Sequence, residues 1–218
     1  MLKLKATDGH ELDFWMQPAT SNRRGGLVLL QEIFGITDQL KGVAERYASL
    51  GYDVAIPALF DRQKRGTVLA FDDAVTGAGL MKSAKLDETL LDILAAVLAL
   101  KEQGDKVAVM GFCWGGGLAI RAAQKLDISA AVSFYGTRLP QYLDCPLKAP
   151  VMGHFGLSDS HVPPEMLQQA QDYLPDMQVH TYAAGHAFAN DRRAAVYDQA
   201  SAEKAHDRSA AFLAQHLS

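Results

Sequence analysis

The sequence predicts an α/β fold: a mostly parallel central sheet with helices on both faces. Three observations carry that reading. Short apolar runs alternate with longer segments of helical periodicity along almost the whole chain. No internal repeat, low-complexity tract or linker interrupts the alternation. One apolar run leads straight into a glycine-flanked residue and then a helix-like stretch. Repeated strand–helix connection makes neighbouring strands parallel and needs helices to cover the sheet. With 218 residues and 49% hydrophobic content the chain can bury one sizeable core, so residues 1–218 read as a single domain.

Residues 2–6 and 11–17 read as a hairpin-type pair turning at Asp8-Gly9, and Gly26–Leu30 is a short apolar strand. Residues 38–50 place Leu40, Val43, Ala44 and Tyr47 on one helical face, with Gly51 as a stop. Asp53–Pro57 is a buried strand. Residues 58–84, with Gly66, Gly77 and Gly79, are the least regular part and read as a loop or small cap over the site. A strong helix follows at 86–103, with Leu90, Leu91, Leu94, Val97 and Leu98 near 3.6 periodicity. Lys106–Met110 is a strand, 115–126 a helix, and 128–134, 151–155 and 178–182 are strands. Helices are predicted over 164–173 and 193–216.

The composition excludes several classes of function. A net charge of −4, with Arg23-Arg24 and Arg192-Arg193 as isolated basic pairs, argues against nucleic-acid binding. Met1-Leu2-Lys3-Leu4-Lys5 alternates charge and apolarity without the apolar core of a secretory signal, and no run is long enough for a membrane span. Two cysteines, Cys113 and Cys145, cannot make a disulfide scaffold, although their separation leaves one bridge open; a reduced, cytoplasmic protein is expected. Gly115-Gly116-Gly117 belongs to neither a G-x-x-x-x-G-K-[ST] nor a G-x-G-x-x-G motif, so no nucleotide cofactor is implied. His154, Asp159 and His161 match no standard zinc spacing, and no metal is expected.

Val109-Met110-Gly111-Phe112-Cys113-Trp114-Gly115 has the form of a G-x-S-x-G nucleophile elbow with cysteine in place of serine. Such an elbow lifts its central side chain above the sheet and aims helix N-terminal amides at whatever that side chain attacks. A thiol nucleophile needs a base, and the base an orienting acid. Asp159 follows the apolar run Val151–Phe155, and His186 follows Gln178–Tyr182, so both emerge at the edge where open α/β sheets gather their sites. The order Cys113, Asp159, His186 is that of an α/β-hydrolase triad. The loop after an early strand donates the second oxyanion amide in that fold, which assigns Ile33 alongside Trp114. Glu32, beside an apolar run in the same loop, is placed to accept the thiol proton or hold it.

Four stretches resemble the dienelactone hydrolase family: Gln31-Glu32-Ile33-Phe34-Gly35; Gly111-Phe112-Cys113-Trp114-Gly115-Gly116; His154-Phe155-Gly156 with Asp159 and Val162-Pro163; and Gly185-His186-Ala187-Phe188. The likeness runs from about residue 8 to the end, with the pieces in the family's order. It implies an α/β-hydrolase that cleaves a carboxylic ester or lactone without a cofactor. Cys113 would be the nucleophile, His186 the base, Asp159 its partner, and Glu32 the residue that controls the thiol. In that family the resting cysteine is a neutral thiol near the glutamate, and substrate binding triggers ionisation, which limits exposure of an oxidisable thiolate. Candidate substrate contacts are Phe34, Arg62, Arg65, Phe188 and Arg192. One departure is that Asn190 stands where dienelactone-specific members carry an arginine for the substrate carboxylate. The substrate class therefore stays open to a thioester or a general carboxylic ester, and a redox-sensing domain without turnover is the non-enzymatic alternative. The sequence does not set the oligomeric state.

Overall fold

The computed structural model describes residues 1–217. They fall into two compact units, one covering Met1–Ala108 and the other beginning at Val109.

In the first unit, β1 (Leu2–Lys5) pairs antiparallel with β2 (Glu11–Gln17), in the register Leu2↔Phe14 to Lys5↔Glu11. β2 pairs antiparallel with β4 (Tyr52–Pro57), and β4 pairs parallel with β3 (Gly25–Leu30). The strand order is thus β1-β2-β4-β3. Every residue of β3 is buried, as expected of a strand covered on both faces. Burying each Leu, Ile or Val of such a strand contributes about 1.5–3 kcal/mol. α1 (Asp38–Ser49) starts where the Thr37 side chain accepts a hydrogen bond from the Leu40 amide, and it buries Leu40, Val43, Ala44 and Tyr47 as its periodicity predicts.

α3 (Leu86–Lys101) packs against β3 so closely that a Cβ on Gly26 would meet the Leu100 Cβ at 2.8 Å. Its buried face runs through Leu90, Ile93, Val97 and Leu100. Leu98, assigned to that face by the sequence, is turned outward and 47% exposed. The segment between β4 and α3 is more ordered than predicted, because residues 74–83 form a helix, α2 (Ala74–Ser83). Asp73 caps it by accepting from the Thr76 amide. Interior Gly77 and Gly79 lower its intrinsic propensity, which is why the pattern reads as irregular. Gly77 is needed for packing: a Cβ there would lie 2.2 Å from the Ile33 carbonyl oxygen.

β5 (Val107–Phe112) spans the boundary in sequence, and the second unit continues with α4 (Trp114–Lys125) and β6 (Ala130–Phe134). It ends with β7 (Val151–Gly156), α5 (Pro164–Tyr173), β8 (Gln178–Tyr182) and α6 (Gln199–Leu217). The order is β5-β6-β7-β8, with β6, β7 and β8 parallel to one another. α6 begins six residues later than predicted, because the Asp198 carboxylate accepts from the Ser201 amide at 2.8 Å and sets the first turn there. Among the described residues no helix is long and apolar enough to cross a membrane.

Candidate active site

The strand-to-helix turn at Cys113 is built as the motif requires. Cys113 has φ 53° and ψ −115°, a conformation that costs a non-glycine residue about 1–3 kcal/mol and persists only where its surroundings enforce it. The enforcement is visible. The Cys113 amide donates to the Phe134 carbonyl at 3.0 Å, and the Cys113 carbonyl accepts from the amides of Gly116, Gly117 and Thr137 at 3.0–3.2 Å. A Cβ on Gly111 would sit 1.9 Å from the Gly115 oxygen, and one on Gly116 would sit 2.7 Å from both Gly136 Cα and the Phe134 oxygen. Only glycine allows β5 and α4 to meet this tightly. Cys113 itself is partly exposed, and Trp114 opens α4.

Asp159 follows β7 and His186 follows β8, and the fold brings them together. His186 Nδ1 lies 2.7 Å from Asp159 Oδ2, with the Asp159 side chain fully buried and that of His186 16% exposed. Asp159 Oδ1 accepts from the His161 amide at 2.8 Å. Burial alone would raise the Asp159 carboxyl; the hydrogen bond and charge of His186 and the His161 amide carry it below the usual carboxylate range. His186 moves the other way. Burial works against its protonated form, but hydrogen bonds to Asp159 and to Cys113, with the charges of both, push it up to about 10. With Nδ1 committed to Asp159, Nε2 is the nitrogen left for the sulfur. Cys113 lies close enough to His186 to act on it through hydrogen bonding and charge. The edge of the Tyr135 ring packs on His186 at 5.2 Å between centroids, and His161 lies over it at 4.3 Å. Tyr135 (φ 39°) and Ala187 (φ 61°) share with Cys113 the left-handed region, so strained backbone concentrates around this histidine.

His154, considered with Asp159 and His161 in the sequence, is a core residue. Its Nδ1 lies 2.8 Å from the Tyr182 hydroxyl and its Nε2 2.9 Å from Ser209 Oγ. Ser209 donates its own proton to the Ala205 carbonyl, so Nε2 of His154 carries the hydrogen and Nδ1 accepts from Tyr182. Burial holds this ring neutral, well below the ordinary histidine value.

In the first unit, the loop after β3 holds the remaining candidates. Glu32 is buried at 6% exposure, Ile33 is half-buried, and Gln31 bridges the Leu59 amide (3.2 Å) and the Glu32 carbonyl (3.2 Å). The 58–84 segment packs on this loop. Phe71 meets Phe34 edge-on at 5.1 Å, the Leu69 amide donates to the Phe34 carbonyl, and Gly35 (φ 82°) lies against the Thr67 carbonyl.

The candidate substrate contacts are placed less favourably. Arg62 is locked between Asp92 (2.8 and 2.7 Å) and Asp8 (2.7 and 3.2 Å). Arg65 pairs with Asp13 at 3.1 Å and also reaches the Glu11 carbonyl. Phe188 is fully buried between Tyr135 and Tyr182, and Phe34 is 3% exposed. Arg192 is exposed, its amide donating to the side chain of buried Asn190 at 3.2 Å. His161 is the neighbour the sequence undervalued. The signal was the Asp-x-His spacing, in which an Asx turn folds the third residue back onto the carboxylate.

Comparison with known proteins gives the chain its class. The chain superposes on a dienelactone hydrolase-like promiscuous phosphotriesterase from metagenomic libraries with a TM-score of 0.83 at 23% identity, covering 100% of this chain and 98% of that one. An esterase from Pyrococcus furiosus gives 0.74 at 17% identity, covering 100% and 92%. The fold is that of the α/β-hydrolases. In sequence, the chain is 28% identical over 225 residues to a carboxymethylenebutenolidase of Pseudomonas putida, covering 98% of this chain and 95% of the relative. It is 30% identical over 199 residues to a carboxymethylenebutenolidase of a Pseudomonas species, covering 86% and 84%. The profile of the dienelactone hydrolase family matches residues 14–217. The chain belongs to the dienelactone hydrolase family and is a hydrolase acting on ester bonds.

Proposed function

We propose that the protein hydrolyses a carboxylic ester or lactone through a cysteine nucleophile and an acyl-enzyme intermediate. The observation that carries the reading is His186 held through Nδ1 on the buried Asp159 carboxylate at 2.7 Å, with Cys113 acting on the same ring. Cys113, its proton passed to His186 Nε2, attacks the carbonyl carbon as a thiolate, and the oxyanion goes to the amides of Trp114 and Ile33. The imidazolium of His186 donates its Nε2 proton to the departing alkoxide or enolate. The neutral ring then takes a proton from water as that water attacks the thioester, and collapse returns the thiolate and a carboxylic acid. Asp159 holds the tautomer and balances the imidazolium charge throughout. Glu32 and Ile33 enter this scheme through the match of Gln31–Gly35 to the family's motif. Glu32 is assigned control of the thiol proton when the sulfur is turned away from His186. The scheme needs no cofactor, and the two-cysteine composition supports a reduced, cytoplasmic setting.

For the substrate, a short uncharged ester is favoured over a carboxylate-bearing lactone. Arg62 is saturated by two carboxylates, Arg65 is paired, and Asn190 stands where dienelactone-specific members carry one of their two carboxylate-binding arginines. The test is turnover of aryl acetates and of a dienelactone by wild type and Cys113→Ala. Loss of both activities in the variant, with the aryl ester the better wild-type substrate, is expected. Equal rates in the two proteins would remove the cysteine mechanism.

A further inference from the structure

We propose that Asp159, His161 and His186 form a binding site for a divalent transition-metal ion, Zn2+ above all, and that occupancy shuts down ester hydrolysis. The inhibitory half rests on the hydrolase reading above; the binding half stands on geometry alone. One imidazole nitrogen from each histidine and a carboxylate oxygen of Asp159 all lie within 4.8 Å of one another. Zinc bonds of about 2 Å to nitrogen and oxygen place tetrahedral ligands roughly 3.3–3.5 Å apart, so the widest pair closes by up to about 1.5 Å while the 2.7 Å His186–Asp159 pair opens slightly. Two of the three ligands are already fixed: the Asp159 side chain is fully buried and His186 is held on it at 2.7 Å.

The third ligand is adjustable. The His161 side chain is 60% exposed, with Nδ1 at 3.4 Å from Asp159 Oδ1 and its ring 4.3 Å from that of His186. It can swing from solvent to close over an arriving ion, which provides an entry path. Two imidazoles and a carboxylate suit Zn2+ or Cu2+ and give Mg2+ or Ca2+ little, and three protein ligands leave a tetrahedral position for water.

The chemistry balances simply. The ion takes the place of the proton between His186 Nδ1 and Asp159 Oδ2, and that proton leaves to solvent. With Nδ1 on the ion, the neutral His186 ring carries its one hydrogen on Nε2 and cannot take a proton from Cys113. The site is hard to see in sequence because His186 lies 25 residues beyond His161, on the loop after a different strand, whereas the nearer His154 has both nitrogens committed to Tyr182 and Ser209.

Cys113 bonds His186 and is itself a soft metal ligand, so the experiment must remove the sulfur. Co2+ is titrated into Cys113→Ser, followed by its visible ligand-field absorption, and then into Cys113→Ser combined with His161→Phe. Phenylalanine keeps a ring against His186 but offers no donor nitrogen. One equivalent of Co2+ is expected to bind the single variant, with affinity at least about tenfold weaker in the double variant. In parallel, Zn2+ inhibition is measured in wild type and in His161→Phe, each relative to its own metal-free rate. A half-inhibitory concentration raised about tenfold or more in His161→Phe is expected. No Co2+ binding to Cys113→Ser, or equal binding with and without His161, would overturn the site. Zn2+ inhibition unchanged by His161→Phe would overturn the inhibitory role. Absence of metal-free turnover in wild type would count against the hydrolase reading and leave the Co2+ result intact.

Discussion

His186 Nδ1 and Asp159 Oδ2 lie 2.7 Å apart, and the carboxylate that receives this hydrogen bond has no exposed surface. The pair fixes which nitrogen of His186 faces the thiol. Asp159→Asn keeps the shape but offers an amide in place of a charge-bearing acceptor, inviting the wrong tautomer. kcat for an aryl ester is expected to fall by about 10³–10⁴-fold with KM little changed. Steady-state kinetics checks this; a fall of less than about tenfold would mean that His186 is not oriented by Asp159.

Stability should peak near neutral pH. Native His154 holds its proton less tightly than the unfolded chain, so its contribution is present above the ordinary value of 6.5 and is lost as pH falls below it. Native His186 holds its proton more tightly, so its contribution is complete below 6.5 and is lost as pH rises toward about 10. Urea unfolding across pH should show an acid limb approaching 1.4 kcal/mol per pH unit for each proton involved, about the limit for one group. His154→Gln should be less stable at neutral pH but have a flatter acid limb. An unchanged acid slope in that variant would assign the limb to other groups.

Arg62 separates structural from substrate-binding roles. Burial pushes the Asp92 carboxyl up, against the pull of Arg62, so removing the guanidinium strands a buried acid. Arg62→Met is expected to cost about 3 kcal/mol in chemical denaturation, while KM for an ester substrate stays within about twofold. A KM rise of tenfold or more with stability intact would return Arg62 to the substrate.

Gly116 and Gly136 face each other where α4 leaves the sheet. The atoms nearest a Cβ on Gly116 would all be backbone, Gly136 Cα and the Phe134 oxygen at 2.7 Å and the Gly136 nitrogen at 3.1 Å, so rotating a side chain does not relieve these contacts. Gly116→Ala is therefore expected to lose more than about 4 kcal/mol or to fail to accumulate as soluble protein. A thermal midpoint within a few degrees of wild type would contradict this account of the turn.

Much of this was legible in the sequence because it depends on local pattern. The 3.6 period of Leu40, Val43, Ala44 and Tyr47 gave α1, and apolar runs gave the strands to within a residue or two. Cys113, Asp159 and His186 could be ordered because each follows a strand, and strand ends converge in this fold. What stayed hidden depends on groups distant in sequence. α2 is stabilised by Asp73 and by packing on Ile33, against the propensity of its own glycines. Arg62 looks like a free cation until Asp8 and Asp92, 54 and 30 residues away, are folded against it. Leu98 fits an apolar stripe but lies just past its edge.

The hydrogen bonds that clamp Cys113 at both its amide and its carbonyl leave its thiol one soft coordinate, rotation about Cα–Cβ. Any passage between a stored and an armed thiol is then a swivel of a single atom between staggered positions, with no loop to reorganise. Such swivels are fast compared with turnover, so arming would be governed by where the sulfur's proton resides when substrate arrives.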